Sequence, residues 1–111
     1  LVELNQKSHA IREGSRGVLA ASNYFYSSGM FAEPFDCERF TGLMADAKAN
    51  YGRFTVNDMK AALHKARRRN GHNMQSVIFQ PARQKMYVSM SRVPATLGPY
   101  IEMNVGELLS R

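Results

Sequence analysis

Cysteine is nearly missing from this chain, with Cys37 standing alone among 111 residues. A single cysteine excludes an internal disulfide framework and a multi-cysteine zinc site, which leaves a thiol or an intermolecular bridge. Histidine is scarce as well. His9, His64 and His72 have no H-x-x-x-H spacing and no neighbouring carboxylate cluster, so no metal centre is expected. No apolar run approaches the roughly 18 to 20 residues that span a bilayer. The longest uncharged stretch, Gly17 to Ala32, is broken by Ser, Asn, Tyr and Gly, and no membrane partner is expected. A Gly-rich phosphate loop, a G-x-S-x-G elbow and paired carboxylates suited to glycoside chemistry are all absent, and no cofactor is implied.

What is present reads as folded protein. With 44% apolar and 22% charged residues the chain has too much to bury, and too little charge, for a disordered segment. Its length allows one modest domain or a piece of one. Leu1 stands where an initiator Met would, and residues 1–6 already read as a strand, so the chain is expected to begin inside a longer product. No basic segment leads into an apolar stretch, so no signal peptide is visible; this leans towards the cytoplasm and leaves localisation open. The net charge of +6 is uneven. Residues 1–50 carry five Lys/Arg against six Asp/Glu, whereas residues 51–111 carry ten against three. Lys60, Lys65, Arg67, Arg68, Arg69, Arg83 and Lys85 follow Asp58 with no acidic residue among them. Such a cluster can attract phosphates, or it can simply be a solvated helix end that complements the negative pole of the helix.

Periodicity changes from two to 3.6 and back. Leu1–Gln6, with Val2 and Leu4 on one face, Ser8–Glu13 and Val18–Phe25 read as a three-stranded meander with a turn at Gly14–Gly17. Asp36 is expected to cap a helix running to about Ala49, with Phe40, Leu43, Met44 and Ala47 inward, ended by Asn50-Tyr-Gly52. Thr55 and Asp58 form a variant capping box for a second helix, whose inward residues are Val56, Met59, Leu63 and Ala66. That helix is expected to exit through Arg67–Arg69 to Asn70-Gly71. Met74–Phe79 and Lys85–Met90 then read as a hairpin around Gln80–Gln84, Arg92–Pro99 as a connector, Tyr100–Val105 as a last strand and Gly106–Arg111 as a tail. Separated strand and helix blocks predict an α+β fold with antiparallel strands and a helix pair. Helices on one sheet face leave the other uncovered, and if that face is apolar it must pack on something, a second sheet being the natural candidate.

Two places suggest chemistry. Cys37 lies at a predicted helix start, where amide dipoles lower a thiol pKa, so it is either a reactive thiol or an ordinary cysteine of the first turn. An apolar strand ending in Ser22-Asn23-Tyr24 presents a carboxamide whose N–H can face a developing oxyanion, although Asn is also a common turn residue. No complete set of nucleophile, base and oxyanion stabiliser is visible.

A run of segments goes further. Gly17-Val-Leu-Ala-Ala-Ser-Asn-Tyr-Phe25, Asp36-Cys-Glu-Arg39-Phe, Thr55-Val-Asn-Asp58-Met, Met74-Gln-Ser-Val-Ile-Phe-Gln-Pro81 with Tyr87-Val88, and Pro94-Ala with Gly98-Pro-Tyr100 follow one another in order along nearly the whole chain. In order and spacing they resemble the C-terminal part of cysteine-type N-terminal-nucleophile hydrolases. The nearest branch is that of the acyl-coenzyme A:6-aminopenicillanic-acid acyltransferase relatives, with choloylglycine hydrolases and penicillin V acylases further away.

The resemblance implies a four-layer αββα sandwich, of which residues 1–111 would be the C-terminal portion of a single domain. It implies a nucleophilic Cys exposed by autocleavage well upstream of this chain, so Cys37 does not match it. Asn23 matches the family's oxyanion-hole Asn, with Ser22 where Thr is usual and Tyr24 where His is common. Phe25 and Tyr26 would line an acyl pocket, or serve as core or loop aromatics, and Arg39 matches a recurrent Arg read as structural. The activity implied is hydrolysis of a linear amide, or acyl transfer. The implied partners are the rest of the precursor or a sister chain, and an amide or acyl-CoA-type small molecule; the isolated chain would be inactive. Two rival readings stand beside it. One is a small nucleic-acid-binding module using Lys60–Lys85, which the missing ladder of interleaved aromatics disfavours. The other is a non-catalytic α+β interaction domain whose open sheet face makes a homo-oligomer or scaffold.

Overall fold

The computed structural model describes residues 1–22, 26–27, 30, 37–67 and 72–110. These form a small α+β fold with two antiparallel sheets and three α-helices, divided into two compact units, Leu1–Arg53 and Phe54–Arg111.

In the first unit, β1 (Val2–Leu4) pairs antiparallel with β2 (His9–Ile11), with Val2 opposite Ile11 and Leu4 opposite His9. Both strands are shorter than the alternation predicts because Asn5 captures the turn. Its side-chain oxygen accepts the Lys7 and Ser8 N–H groups, each at 2.8 Å, a local bond that competes with ladder pairing. Alternation pairs Val2 with Leu4 but does not say which face is buried. Val2 and Leu4 share a face, as expected, but it is the exposed one, and Glu3 is buried between them.

A two-residue turn follows, with Arg16 and Gly17 both at positive φ and Ser15 and Val18 exchanging backbone bonds. This is the geometry favoured between antiparallel strands, yet no strand continues from it. Residues 19–22 are irregular, which corrects the expected strand Val18–Phe25 over its described part. The carbonyl of Ala20 accepts from an Arg12 guanidinium nitrogen at 2.6 Å, so a side chain takes the place of a ladder partner. Residues 23–25 lie outside the described residues.

Helix α1 (Glu38–Ala49) begins with Cys37 at the N-cap; the expected cap, Asp36, lies outside the described residues. Phe40, Leu43, Met44 and Ala47 are half-buried, as their helical spacing predicts. The helix ends where the Asn50 side chain donates to the Asp46 carbonyl and Gly52 takes a positive φ of 73°.

The second unit opens on α2 (Val56–Lys65) with the predicted capping box, Asp58 N–H donating to Thr55 Oγ1 and Thr55 N–H to the Asp58 carboxylate. Ala62 is buried and Val56, Met59, Leu63 and Ala66 are half-buried. The expected helix exit at 68–71 lies outside the described residues. The sheet runs β3 (Ser76–Gln80), β4 (Lys85–Ser89), β5 (Ile101–Asn104) in that order, all antiparallel. A 3-10 turn over Pro81–Arg83 and a left-handed Gln84 join the first two strands. The chain end departs from the expected tail: Val105–Leu109 forms a short helix, α3, whose N-cap Asn104 accepts the Glu107 N–H.

The sheet's two faces differ sharply. Strand register puts Ser76, Ile78, Tyr87 and Ser89 on one face, where Ser76, Ile78 and Ser89 are buried. Ala95 of the connector is fully buried too, its carbonyl accepting from Ser89 Oγ at 2.6 Å. From α2, Lys60 lies over the rings of Tyr87 and Tyr100 on this side, and His64 bonds Thr96. Val77, Phe79, Met86, Val88, Ile101 and Met103 make up the opposite face. It carries no charge, and Phe79 and Ile101 are 66% and 67% exposed.

Candidate functional site

Of the residues expected to act, Asn23 and Phe25 lie outside the described residues, while Tyr26 is held among groups that converge from three parts of the first unit. Glu3 comes from β1, Arg12 from the residue after β2, and Cys37 and Phe40 from the start of α1.

Glu3 is the centre of this arrangement. Its carboxylate accepts the Tyr26 N–H at 3.1 Å and the Ser27 N–H at 2.7 Å, and Arg12 Nε stands 3.0 Å from Oε1. The Arg12 contact is an ion pair rather than a well-directed hydrogen bond. Burial pushes the Glu3 pKa up, but the Ser27 and Tyr26 hydrogen bonds and the Arg12 charge outweigh it and hold the carboxyl below its usual value. Arg12 does more than neutralise. Its guanidinium donates to the Ala20 carbonyl and lies 5.2 Å from the Tyr26 ring centroid and 5.5 Å from that of Phe40, within cation–π range of both.

The Tyr26 hydroxyl is 2.9 Å from Ser22 Oγ, which is 3.5 Å from Cys37 Sγ. Burial raises the Tyr26 pKa, so the phenol stays protonated near neutrality and can donate. Cys37 is buried, and burial alone would raise its pKa. Hydrogen bonds from Ser22 and Tyr26 and from the first-turn amides of Phe40 and Arg39 reverse this, lowering the thiol from 9.0 to about 7. The thiol therefore ionises more readily than a free cysteine. Chemically the cluster stabilises a sulfur anion, and it holds no histidine among the described residues.

Sequence reasoning considered Cys37 only with the helix dipole and missed its link to Ser22 and Tyr26. It also missed Glu3 and Arg12. The one available signal was a carboxylate interrupting Val2 and Leu4, and alternation places it on the other face without saying which face is buried.

In the second unit the cations proposed for nucleic acid are largely engaged within the unit. Lys60 sits over Tyr87 and Tyr100 at 5.7 and 5.0 Å, Lys85 pairs with Glu102, and Arg67 donates to the His64 carbonyl. Arg68 and Arg69 lie outside the described residues. Among the described residues no three His, Cys, Asp or Glu side chains gather as a metal would need, and no helix is long and apolar enough to cross a membrane. Comparisons of the chain with protein-family models, curated proteins and solved structures find no match.

Proposed function

We propose that this chain is part of a linear-amide C–N hydrolase or acyltransferase of the cysteine N-terminal-nucleophile type, with its nucleophile on polypeptide outside the chain. The open apolar face of the β3–β4–β5 sheet is the observation that carries this reading. A sheet with a helix on one side and six uncharged apolar residues on the other is half of a sheet-on-sheet sandwich. Burial agrees. Among the described residues only Met30, Cys37, Ala62, Ile78 and Ala95 are buried apolar residues, while fourteen large apolar ones are exposed. Of these fourteen, Phe79 and Ile101 lie on this face, and an apolar face left open in this way calls for a covering layer.

In the reaction proposed, the upstream Cys sulfur, deprotonated by its own α-amine, attacks the carboxamide carbonyl. Asn23 donates to the tetrahedral oxyanion. Collapse breaks the C–N bond, the α-ammonium returns the proton to the departing amine, and the acyl group stays on sulfur as a thioester. Water or a second amine then removes it. Phe25 and Tyr26 line the acyl side. A preorganised donor of this kind is worth roughly 3 to 4 kcal/mol, about 10² to 10³ in rate.

The test is to express the chain together with the polypeptide encoded upstream of Leu1. Intact mass should reveal a fragment beginning with Cys, and the assembly should release amine from amide substrates. Asn23→Ala should cut kcat by about 10² to 10³ without blocking cleavage. An initiator Met immediately before Leu1, or full activity in Asn23→Ala, would overturn the reading.

A further inference from the structure

We propose that β3 is a contact between two copies of this chain, its free edge pairing antiparallel with the same edge of a second copy about a two-fold axis at Ile78. That edge is distinct from the apolar face on which the amide-bond reading rests, so the dimer goes beyond that reading. Strand hydrogen bonding decides which groups are free. Val105 N–H donates to the Gln84 carbonyl at 2.7 Å, so Gln84 turns its backbone groups towards β5, and Met86 and Val88 follow by alternation. Lys85, Tyr87 and Ser89 therefore turn theirs towards β3, where Gln80, Ile78 and Ser76 stand opposite them. Val77 and Phe79, opposite Val88 and Met86, point their N–H and C=O groups away from β4. No described residue bonds those groups.

The two edges of the sheet differ. The outer edge of β5 belongs to Glu102 and Asn104, a charged residue and the N-cap of α3, and natural sheets blunt exposed edges with charge and short strands in this way. Nothing of the kind protects β3. Ser76-Val-Ile-Phe-Gln80 has no charge, no Pro and no Gly, and its register with β4 runs unbroken, without a bulge. Its free groups are also arranged to fit a copy of the same strand. They lie on either side of Ile78, so an antiparallel second β3 brings Val77 opposite Phe79, each N–H donating to the other's carbonyl, and the two-fold axis doubles the set. On the apolar face that register sets a β-branched side chain beside an aromatic one, a favourable cross-strand pair. No like charges meet along the contact, although the chain carries +6. Gln80 comes opposite Ser76 of the second copy, and Gln80 Oε1 is a buried atom without a hydrogen-bond partner among the described residues. Two three-stranded sheets thereby become one.

Sedimentation of the chain across a range of concentrations should show a monomer–dimer equilibrium, with hydrogen exchange at the Val77 and Phe79 amides slowing as the dimer fills. Val77→Pro removes an outward N–H that β4 does not use, a position where an edge strand accepts proline, and should raise the dissociation constant at least about tenfold. Ile101→Lys places a charge on the apolar face at the far strand and should leave that constant unchanged. Register is read by cysteines in a Cys37→Ala background. Val77→Cys mixed with Phe79→Cys should form an intermolecular disulfide on oxidation, since Cα atoms directly opposite each other lie about 5.5 Å apart. Either variant alone should not, because its like residues are diagonal and beyond the roughly 7 Å that a disulfide bridges. Should Val77→Pro fail to fold, this cross-link decides alone. A chain that stays monomeric would overturn the proposal, leaving the edge unpaired or to a strand from the rest of the precursor. A dimer that survives Val77→Pro but is lost in Ile101→Lys would overturn it too, since the contact would then be the apolar face.

Discussion

The ring of Tyr26 stacks on that of Phe40, with centroids 3.8 Å apart and planes inclined by 22°. This contact ties the stretch after residue 25 to the first turn of α1, and the Arg12 guanidinium covers both rings. Stacked pairs of this kind add about 0.5 to 1.5 kcal/mol beyond the area they bury. Phe40→Ala is expected to destabilise the chain by about 2 to 3 kcal/mol, less than a fully buried Phe would, since both rings are half-buried. Tyr26→Phe keeps the stack and should cost about 1 kcal/mol. Urea unfolding of the three proteins checks the order.

Cys37 should titrate near 7 rather than 9.0. Because the chain has a single cysteine, the thiolate absorbance reports this site alone. Ser22→Ala should move the midpoint upward by removing a donor to the sulfur. The sign for stability follows: the folded pKa is depressed, so the contribution is fully present above the unfolded value and is lost as pH falls through about 7. Wild type should gain on Cys37→Ala between pH 7 and 9, and equal gains at both pH values would contradict the shift.

Glu3 is likewise depressed, and its contribution is present above the ordinary carboxylate pKa and lost on acidification through the lower folded value. Acid unfolding of wild type should begin below that ordinary value. Glu3→Gln should flatten this limb of the stability–pH curve, and circular dichroism across the acid range follows it.

Ile78 and Phe79 are neighbours on β3 that face opposite ways, one buried and the other 66% exposed. Ile78→Ala should cost about 2 to 4 kcal/mol. Phe79→Asp should leave the stability of the chain alone within about 0.5 kcal/mol and, on the proposed reading, abolish association with a polypeptide that packs on the apolar face. Analytical ultracentrifugation of the mixed chains distinguishes the two effects. A Phe79→Asp variant that still associates would show that this face is not the contact.

Thr55 caps α2 through the bond it accepts from the Asp58 N–H. Thr55→Ala should lower stability by about 1 kcal/mol, seen as a shift in the thermal midpoint, and Thr55→Ser should restore most of it.

Local rules served the second unit well. The capping box, the inward set of α2 and the strand pair around Pro81 depend on short-range bonds and on spacing, and each is legible in a single sequence. The first unit was less legible. Asn5 shortened the opening strands with its own side chain, and Arg12 took the carbonyl that a third strand would have used. Both are side-chain bonds to backbone, which hydrophobic alternation does not register.

By itself the sequence determined the antiparallel α+β character, the start of α2 and the concentration of cations after residue 50, because each follows from period, capping chemistry or charge count. Tertiary structure alone decided which face of each sheet is buried. Alternation defines two faces and cannot say which finds a partner, so Glu3 turned inward while Val2, Leu4, Phe79 and Ile101 stayed exposed. It also brought Glu3, Arg12, Ser22, Tyr26 and Cys37 together, since contacts between residues as many as 24 positions apart depend on how the chain closes on itself.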